Sequence, residues 1–202
     1  GQNTLADFLA EHVREAMVAF EEPQVRTRMP GRLGVMERRF RRTFFETHEL
    51  LGRGRVLSAY ASGDRAALER YGRDRLAWME RRLAKTRARV FIDVSKHFIH
   101  GLHVPLTSSI ASFGLIRLTR DPIENMRSYL NRRKDFDLDN NAPNCPANIL
   151  HLDTAGLSSG DNYLWAWFET QLRYEALKAQ YPAAPTFELT TSDLNDAGAL
   201  ER

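Results

Sequence analysis

The stretch 89–133 constrains the fold of this chain more than any other part of the sequence. Two short runs rich in β-branched residues, Val90–Val94 and Leu115–Thr119, alternate there with segments whose apolar residues recur at helical spacing. Strands alternating with helices are typical of a parallel sheet covered by helices. The stretch therefore predicts a helix-rich α/β fold with a central, mostly parallel sheet flanked by helices.

The end of the second run carries the first candidate binding site. Arg120 follows the strand, and Asp121-Pro122 has the sequence of a helix start, an N-cap followed by a first-turn proline. The carboxyl end of a parallel strand and the free N–H groups of a helix start both favour anions. Ser128 lies in the same helix and reaches this edge if the helix packs back along the strand. The pattern predicts an anion site formed by Arg120 and Ser128.

At these residues the chain resembles the sulfotransferases that use 3′-phosphoadenosine 5′-phosphosulfate (PAPS). In that family a strand ending in Arg, a turn with Asp-Pro or Asn-Pro, and a following Ser hold the 3′-phosphate, and the preceding strand carries Asp-x-Ser. The matching residues are Arg120, Asp121-Pro122 and Ser128, with Asp93-Val94-Ser95 on the preceding strand. The resemblance implies a P-loop NTPase-like sulfotransferase fold, PAPS as sulfuryl donor and 3′-phosphoadenosine 5′-phosphate as product.

The start of the chain extends the resemblance. Gly1–Leu5 is similar to the tail of the family's loop that holds the 5′-phosphosulfate through backbone amides and hydroxyls. The resemblance makes Gly1, Gln2, Asn3 and Thr4 cofactor-binding candidates and implies that the strand before the loop precedes this sequence. Asn3 stands where many members have Lys or Thr. The alternative is an N-terminal helix that Asn3 or Thr4 merely caps.

Sulfuryl transfer to a hydroxyl needs a base that takes the hydroxyl proton. Glu21 and Glu22 lie where several sulfotransferases place a general base or an acceptor-binding Glu, and His48 is a candidate because histidine is the base in some members. Lys96, just after Asp-x-Ser, is a candidate to contact the bridging or sulfuryl oxygens. The structural alternative for Glu21 and Glu22 is a solvated acidic turn. For His48 it is a solvated position at a helix end, and for Lys96 it is a surface ion pair.

A metal site is not expected from the sequence. His97, His100 and His103 recur at every third position, but Gly101 interrupts them and no cysteine or acidic residue lies nearby. The alternating acids of the run 135–139 resemble part of a calcium loop without its glycine and closing Glu. Trp165, in the final predicted helix, is a candidate to stack on adenine, and a place in the core is the alternative.

Composition limits the class of protein. The chain has 202 residues, of which 43% are hydrophobic, which suits one domain, 1–202, and the resemblance implies that this domain is clipped at both ends. The lone Cys145 cannot form an internal disulfide, and with no visible signal peptide or membrane span it favours a cytoplasmic protein. The net charge is +3, and lysine occurs only at positions 85, 96, 134 and 178. Arginine suits phosphate or sulfate ligands, although a coding bias would enrich it equally.

Periodicity and turn residues predict the remaining elements. Helices are expected from Thr4 to about Ala19 and over 37–51, and a long helix is expected from the cap Asp64 to about Arg87. A short strand is expected near 18–23, while 24–36 and 52–63 are expected to be connecting segments. The irregular stretch 134–159 is expected to cover the nucleotide or shape the acceptor pocket. A final helix over 161–181 and a strand over 187–194 complete the expected order.

These features together favour a sulfotransferase that transfers a sulfuryl group from PAPS to a hydroxyl or amine of a small-molecule, carbohydrate or lipid acceptor. One alternative is a P-loop nucleotide kinase or NTPase, whose phosphate-binding motif would precede Gly1. Another is a catalytically inactive module that binds an anion or nucleotide at the same site, or whose arginine-rich helices bind nucleic acid or acidic lipid. A nucleic-acid partner is not expected, because the sequence has no basic patch interleaved with aromatic residues.

Overall fold

The computed structural model describes residues 2–20, 29–44, 55–95, 98–131, 143–153 and 155–195, without the side chains of 38, 39 and 41–44. Its helices are α1 (Gln2–His12), α2 (Gly31–Phe44), α3 (Arg55–Ser62), α4 (Arg65–Leu83), α5 (His103–Ser109), α6 (Pro122–Leu130) and α7 (Ser159–Gln180). Its strands are β1 (Ala16–Phe20), β2 (Val90–Val94), β3 (Leu115–Thr119) and β4 (Thr186–Thr190). A π-helical turn (Phe98–Leu102) precedes α5, and a 3₁₀ turn (Asp193–Asn195) follows β4.

The strands form two parallel pairs. β1 pairs with β2, with Ala16 opposite Val90, and β3 pairs with β4, with Leu115 opposite Thr186. The predicted helix-rich α/β fold with parallel strands is confirmed at this level. A single central sheet is not seen, because the described strands form two separate two-stranded sheets with no ladder between β2 and β3.

Side-chain packing under α1 joins the two sheets. Leu5, Ala6 and Leu9 of α1 and Val94 of β2 are the buried centre of one hydrophobic cluster. Residues of all four strands pack against this centre: Val18, Phe20, Ile92, Ile116, Leu118 and Leu189. Burial of apolar side chains from both sheets against one helix holds the pairs together without backbone hydrogen bonds between them.

A second core lies among α3, α4 and α5. Its buried members include Val56 and Leu68, with Leu102 and Leu106 packed against them. Gly72 of α4 permits a close helix contact, since a Cβ at this position would lie 2.4 Å from Cβ of Pro105. This core supports β2, because Arg75 of α4 reaches across to Asp93.

A buried charge network fixes the segment before α7. The Glu169 carboxylate, 0% exposed, accepts hydrogen bonds from the backbone N–H of Leu150 at 2.8 Å and from Nε of Arg173 at 2.6 Å. Arg173 in turn donates to Oδ1 of Asn148 at 2.8 Å, and its guanidinium lies 4.7 Å from the ring centre of Tyr60. The part of the predicted irregular stretch that the structure describes is therefore bound to α7 through buried polar groups.

Several predicted boundaries are correct. The bounds of β2 and β3 are those predicted, Asp64 caps α4 by accepting from the Ala67 N–H, and Asp121 caps α6 by accepting from the Glu124 N–H. Both caps were readable because they depend on residues next to each other in sequence. Over the described residues, no helix is both long enough and apolar enough to cross a membrane.

Other boundaries were predicted wrongly. The first helix ends at His12 rather than near Ala19, because Glu15 takes a positive φ of 55° and the chain enters β1 at Ala16. The apolar residues that continue the helical spacing, Met17 and Val18, belong to that strand. Periodicity could not separate the two elements because both bury apolar side chains against the same core.

Two helices begin in segments predicted to be connections. α2 starts at Gly31, directly after Pro30, where the positive φ of 59° turns the chain into the helix. α3 lies inside the predicted connector 52–63 and buries Val56 and Ala59 in the second core. The glycines that flank this segment in the sequence indicate turns at its ends only, and the residues between them are helical.

Burial of His103 predicts acid-sensitive stability. Desolvation lowers the pKa of His103 from 6.5 to about 4, against the opposing hydrogen bond that Nδ1 donates to the Phe98 carbonyl. As pH falls, His103 is therefore protonated in the unfolded chain before it is protonated in the folded protein. This difference should lower the free energy of unfolding by up to about 3 kcal/mol as pH falls from 6.5 to 4.

Urea unfolding of His103→Asn over this pH range, with the exposed His151→Asn as control, measures the effect. The His103→Asn variant should lose less stability on acidification than wild type, and the control should follow wild type. An identical pH dependence for all three proteins would show that His103 is not the responsible group.

The buried network predicts a large cost for Glu169→Gln. The substitution leaves the Arg173 guanidinium buried without its carboxylate, which typically costs about 3–5 kcal/mol. The matched control is Glu175→Gln on the same helix, whose carboxylate pairs with Arg117 but is 53% exposed, and a loss below about 1 kcal/mol is expected. Denaturant unfolding that gave equal losses would contradict the structural role of Glu169.

Candidate functional site

A large open cavity lies where the carboxyl ends of β3 and β4 meet the first turn of α1 and the inner faces of α6 and α7. Its volume is about 1170 Å³. The side chains used below line it: Gln2, Thr4, Arg120, Asp121, Ser128, Tyr129, Tyr163, Trp167, Thr190 and Ser192. Polar groups from five separate parts of the chain thus converge on one space, at the strand ends where ligands bind in open α/β sheets.

Arg120 is placed by the end of β3. Its side chain is 39% exposed, and its Nε lies 4.0 Å from Oε2 of Glu124, one turn into α6. Asp121 caps α6 at 2.8 Å, and Pro122 occupies its first turn, so the chain turns sharply just after Arg120. An ion pair this long and this exposed leaves the guanidinium able to bind an anion.

Ser128 and the start of α1 line the same cavity as Arg120. Ser128 lies about two turns along α6, so the helix does return its hydroxyl to the strand end. Gln2 and Thr4 come from the first turn of α1, a helix of 11 residues with no acidic side chain in that turn. The positive end of the α1 dipole is therefore not offset by an acidic side chain of its own first turn.

Three aromatic residues form a wall that the sequence pattern did not reveal. The ring centres of Tyr129 on α6 and Tyr163 on α7 lie 5.1 Å apart, and Trp167 stands one turn further along α7. Burial and the neighbouring Tyr129 raise the pKa of Tyr163, while the Arg120 guanidinium acts in the opposite direction. Arg120 is therefore close enough to this wall for its charge to act on the phenol. Such rings can receive a planar ligand group.

Trp165 does not belong to this wall. It is 3% exposed, and its Nε1 donates to the Leu150 carbonyl at 3.1 Å. The core alternative for Trp165 is thus the one that the structure shows. The spacing of Tyr163, Trp167, Thr170 and Gln171 along α7 could have indicated a separate face, since i, i+4, i+7 and i+8 share one side of a helix.

Hydroxyl groups at the end of β4 also line the cavity. The backbone N–H and the hydroxyl of Thr190 both donate to Oδ2 of Asp193, at 2.7 and 2.8 Å. The Thr191 N–H donates to the Thr119 carbonyl at 2.8 Å, which extends the β3–β4 pairing to the cavity edge. The loop after β4 is held by these bonds, and it adds hydroxyl-bearing side chains to a site already supplied with donors.

Some predicted site residues are not at the cavity. Asn3 is exposed and is not one of the lining residues. Asp93 of the Asp-x-Ser segment binds Arg75 through two guanidinium nitrogens at distances from 2.6 to 3.1 Å, and Arg75 is 1% exposed. The structure therefore gives Asp93 a buried ion pair instead of a place in the cavity.

Five candidates lie outside the described residues: Gly1, Glu21, Glu22, His48 and Lys96. Their roles remain predictions from the sequence. Within the described part of the chain, no three His, Cys, Asp or Glu side chains are grouped so that they could hold a metal ion.

Comparisons of the chain with protein families, with curated proteins and with solved structures found no match.

The proximity of Arg120 to Tyr163 gives a test that needs no ligand. Arg120→Gln removes a positive charge that favours the phenolate, so the pKa of Tyr163 should rise further above its ordinary value. Ultraviolet absorbance titration, with Tyr163→Phe to assign the transition, measures this change. Arg127→Gln, an exposed arginine of the same helix outside the cavity, should leave the titration unchanged. An unchanged pKa of Tyr163 in Arg120→Gln would show that the charge of Arg120 does not act on this phenol.

Proposed function

We propose that this chain is a PAPS-dependent sulfotransferase with a P-loop NTPase-like fold. The supporting observation is the convergence of Arg120, Ser128, Gln2 and Thr4 on one cavity. Arg120 and Ser128 are separated from the chain start by more than one hundred residues, yet they face the same space as the first turn of α1. A nucleotide with phosphates at two positions requires two anion sites on one cavity.

The two anion sites differ in chemistry. Arg120 offers a guanidinium fork and Ser128 a hydroxyl, a pair suited to a terminal phosphate such as the 3′-phosphate of PAPS. The start of α1 offers backbone N–H groups together with Gln2 and Thr4, which suits the 5′-phosphosulfate. In this proposal the adenine lies against the aromatic wall of Tyr129, Tyr163 and Trp167.

The size of the cavity is consistent with such a ligand. Small-molecule sites are commonly about 300–1,000 Å³. The volume here, about 1170 Å³, leaves space for a nucleotide together with the reacting part of an acceptor. The acceptor would be a hydroxyl or amine of a small molecule, carbohydrate or lipid.

The reaction transfers a sulfuryl group in one displacement. The acceptor oxygen or nitrogen forms a bond to sulfur while the bond from sulfur to the 5′-phosphate oxygen breaks, and 3′-phosphoadenosine 5′-phosphate leaves. The acceptor proton passes to a base, for which Glu21, Glu22 and His48 are the candidates. The leaving phosphate gains negative charge, which the N–H groups of α1 and the Lys96 ammonium would stabilise.

The arrangement of the strands supports the proposed fold. Two parallel pairs under one helix, with α1 beginning at the cavity and packing on both pairs, are what a larger parallel sheet with a phosphate-binding helix would contain. β2 and β3 then belong to one layer although no hydrogen bonds join them here.

Calorimetry with 3′-phosphoadenosine 5′-phosphate tests the proposal. Arg120→Ala removes a charge-assisted contact of about 1.5–3 kcal/mol, so affinity should fall roughly ten- to hundredfold. Ser128→Ala should weaken binding less, because it removes one neutral donor. Arg127→Ala is the matched control, since it removes an exposed arginine of the same helix outside the cavity.

Equal affinity of wild type and Arg120→Ala would overturn the assignment of the 3′-phosphate site. Binding of ATP with Mg²⁺, and none of the PAPS product, would instead support a nucleotide kinase or NTPase. Binding of 3′-phosphoadenosine 5′-phosphate without sulfuryl transfer to any hydroxyl or amine acceptor would support the alternative of a catalytically inactive binding module.

A further inference from the structure

Helix α2 exposes an unusual amount of apolar surface. Leu33, Val35, Met36 and Phe40 are 58, 64, 67 and 55% exposed. Among the described helices and strands, none packs extensively on α2. Exposed apolar side chains grouped on one element mark an interaction site more often than isolated ones do.

The apolar and basic positions of α2 are segregated around the helix. At about 100° per residue, Leu33, Met36 and Phe40 fall within an arc of roughly 60°. Positions 32, 38, 39, 41 and 42 are arginines in the sequence and all fall outside this arc, at roughly 70° to 170° from its centre, with Val35 among them. The helix is therefore strongly amphipathic and basic.

Charge and local structure define the helix start. α2 contains five arginines and one acidic residue, Glu37. The Glu37 carboxylate accepts a hydrogen bond from the Met29 N–H at 3.0 Å, and the Gly34 N–H donates to the Pro30 carbonyl at 3.4 Å. Glu37 thus fixes the backbone just before the helix. The five arginines give α2 a strongly positive net charge.

We propose that α2 is a docking surface for an anionic membrane. An amphipathic helix lying in the plane of a bilayer places its apolar side at the acyl boundary and its basic side among anionic headgroups. Nucleic acid would pair with the arginines but leave Leu33 and Met36 in water. An apolar protein groove would cover those two side chains and leave the positive charge uncompensated. An anionic lipid surface complements both sides at once.

The proposed docking surface on α2 is distinct from the cavity. None of the described side chains of α2 lines the cavity, so the proposal does not depend on the sulfotransferase assignment. It also needs no membrane-spanning helix, since the helix binds at the surface.

Co-sedimentation of the chain with lipid vesicles tests the docking surface. The protein should sediment with vesicles of phosphatidylcholine containing phosphatidylserine, much less with phosphatidylcholine alone, and less as salt is raised. Arg38→Gln with Arg39→Gln should weaken binding about fivefold for each arginine removed. Leu33→Ser with Met36→Ser should weaken it at least about tenfold.

Phe187→Ser is the matched control, because Phe187 is a 62% exposed apolar residue on β4. It should bind vesicles as wild type does, and circular dichroism should show that every variant keeps its helices. The proposal is overturned if anionic vesicles fail to sediment the protein, if neutral and anionic vesicles bind it equally, or if the α2 variants bind as well as the control. It is also overturned if duplex DNA binds α2 tightly and the Leu33 and Met36 changes leave all binding intact.

Discussion

Packing of α1 against both strand pairs is the interaction on which the rest of this structure depends. Leu5 and Leu9 bury their side chains with residues of all four strands, so one short helix joins sheets that share no hydrogen-bonded ladder. The same packing fixes where α1 begins. Its first turn, with Gln2 and Thr4, therefore meets the carboxyl ends of β3 and β4 and completes the cavity. The joining of the two sheets and the position of the cavity are thus consequences of the same hydrophobic packing.

Buried charges orient the elements around this centre. Arg75 and Asp93 tie α4 to β2, and Glu169 and Arg173 tie the segment before α7 to the helix itself. Neither pair supplies net stability simply by being charged, since desolvation offsets much of the attraction. A buried charge that loses its partner is strongly unfavourable, so arrangements that separate either pair are disfavoured. α7 is held with Tyr163 and Trp167 towards the cavity while Glu169 and Arg173 face the core.

The sequence predicted those parts of the molecule that local residues determine. β2, β3 and the caps Asp64 and Asp121 follow from neighbouring residues, and so does the position of Arg120 at a strand end. Prediction from the sequence was wrong for features that depend on contacts between distant segments or on the backbone conformation of a single residue. The end of α1 depends on a reversal at Glu15, which apolar spacing does not reveal. The pairing of strands into two sheets depends on contacts between segments far apart in sequence, and so does the contact between Tyr129 of α6 and Tyr163 of α7, whereas the face of α7 that carries Tyr163 and Trp167 has a helical spacing.

The proposed function is based on the same geometry, since the two proposed anion sites on one cavity would suit a nucleotide with phosphates at both its 3′ and 5′ positions. A crystal structure with 3′-phosphoadenosine 5′-phosphate bound is the most direct measurement. The account predicts the 3′-phosphate within hydrogen-bonding distance of the Arg120 guanidinium and the Ser128 hydroxyl, and the 5′-phosphate at the first turn of α1. A nucleotide bound elsewhere, or with neither phosphate near Arg120, would contradict it.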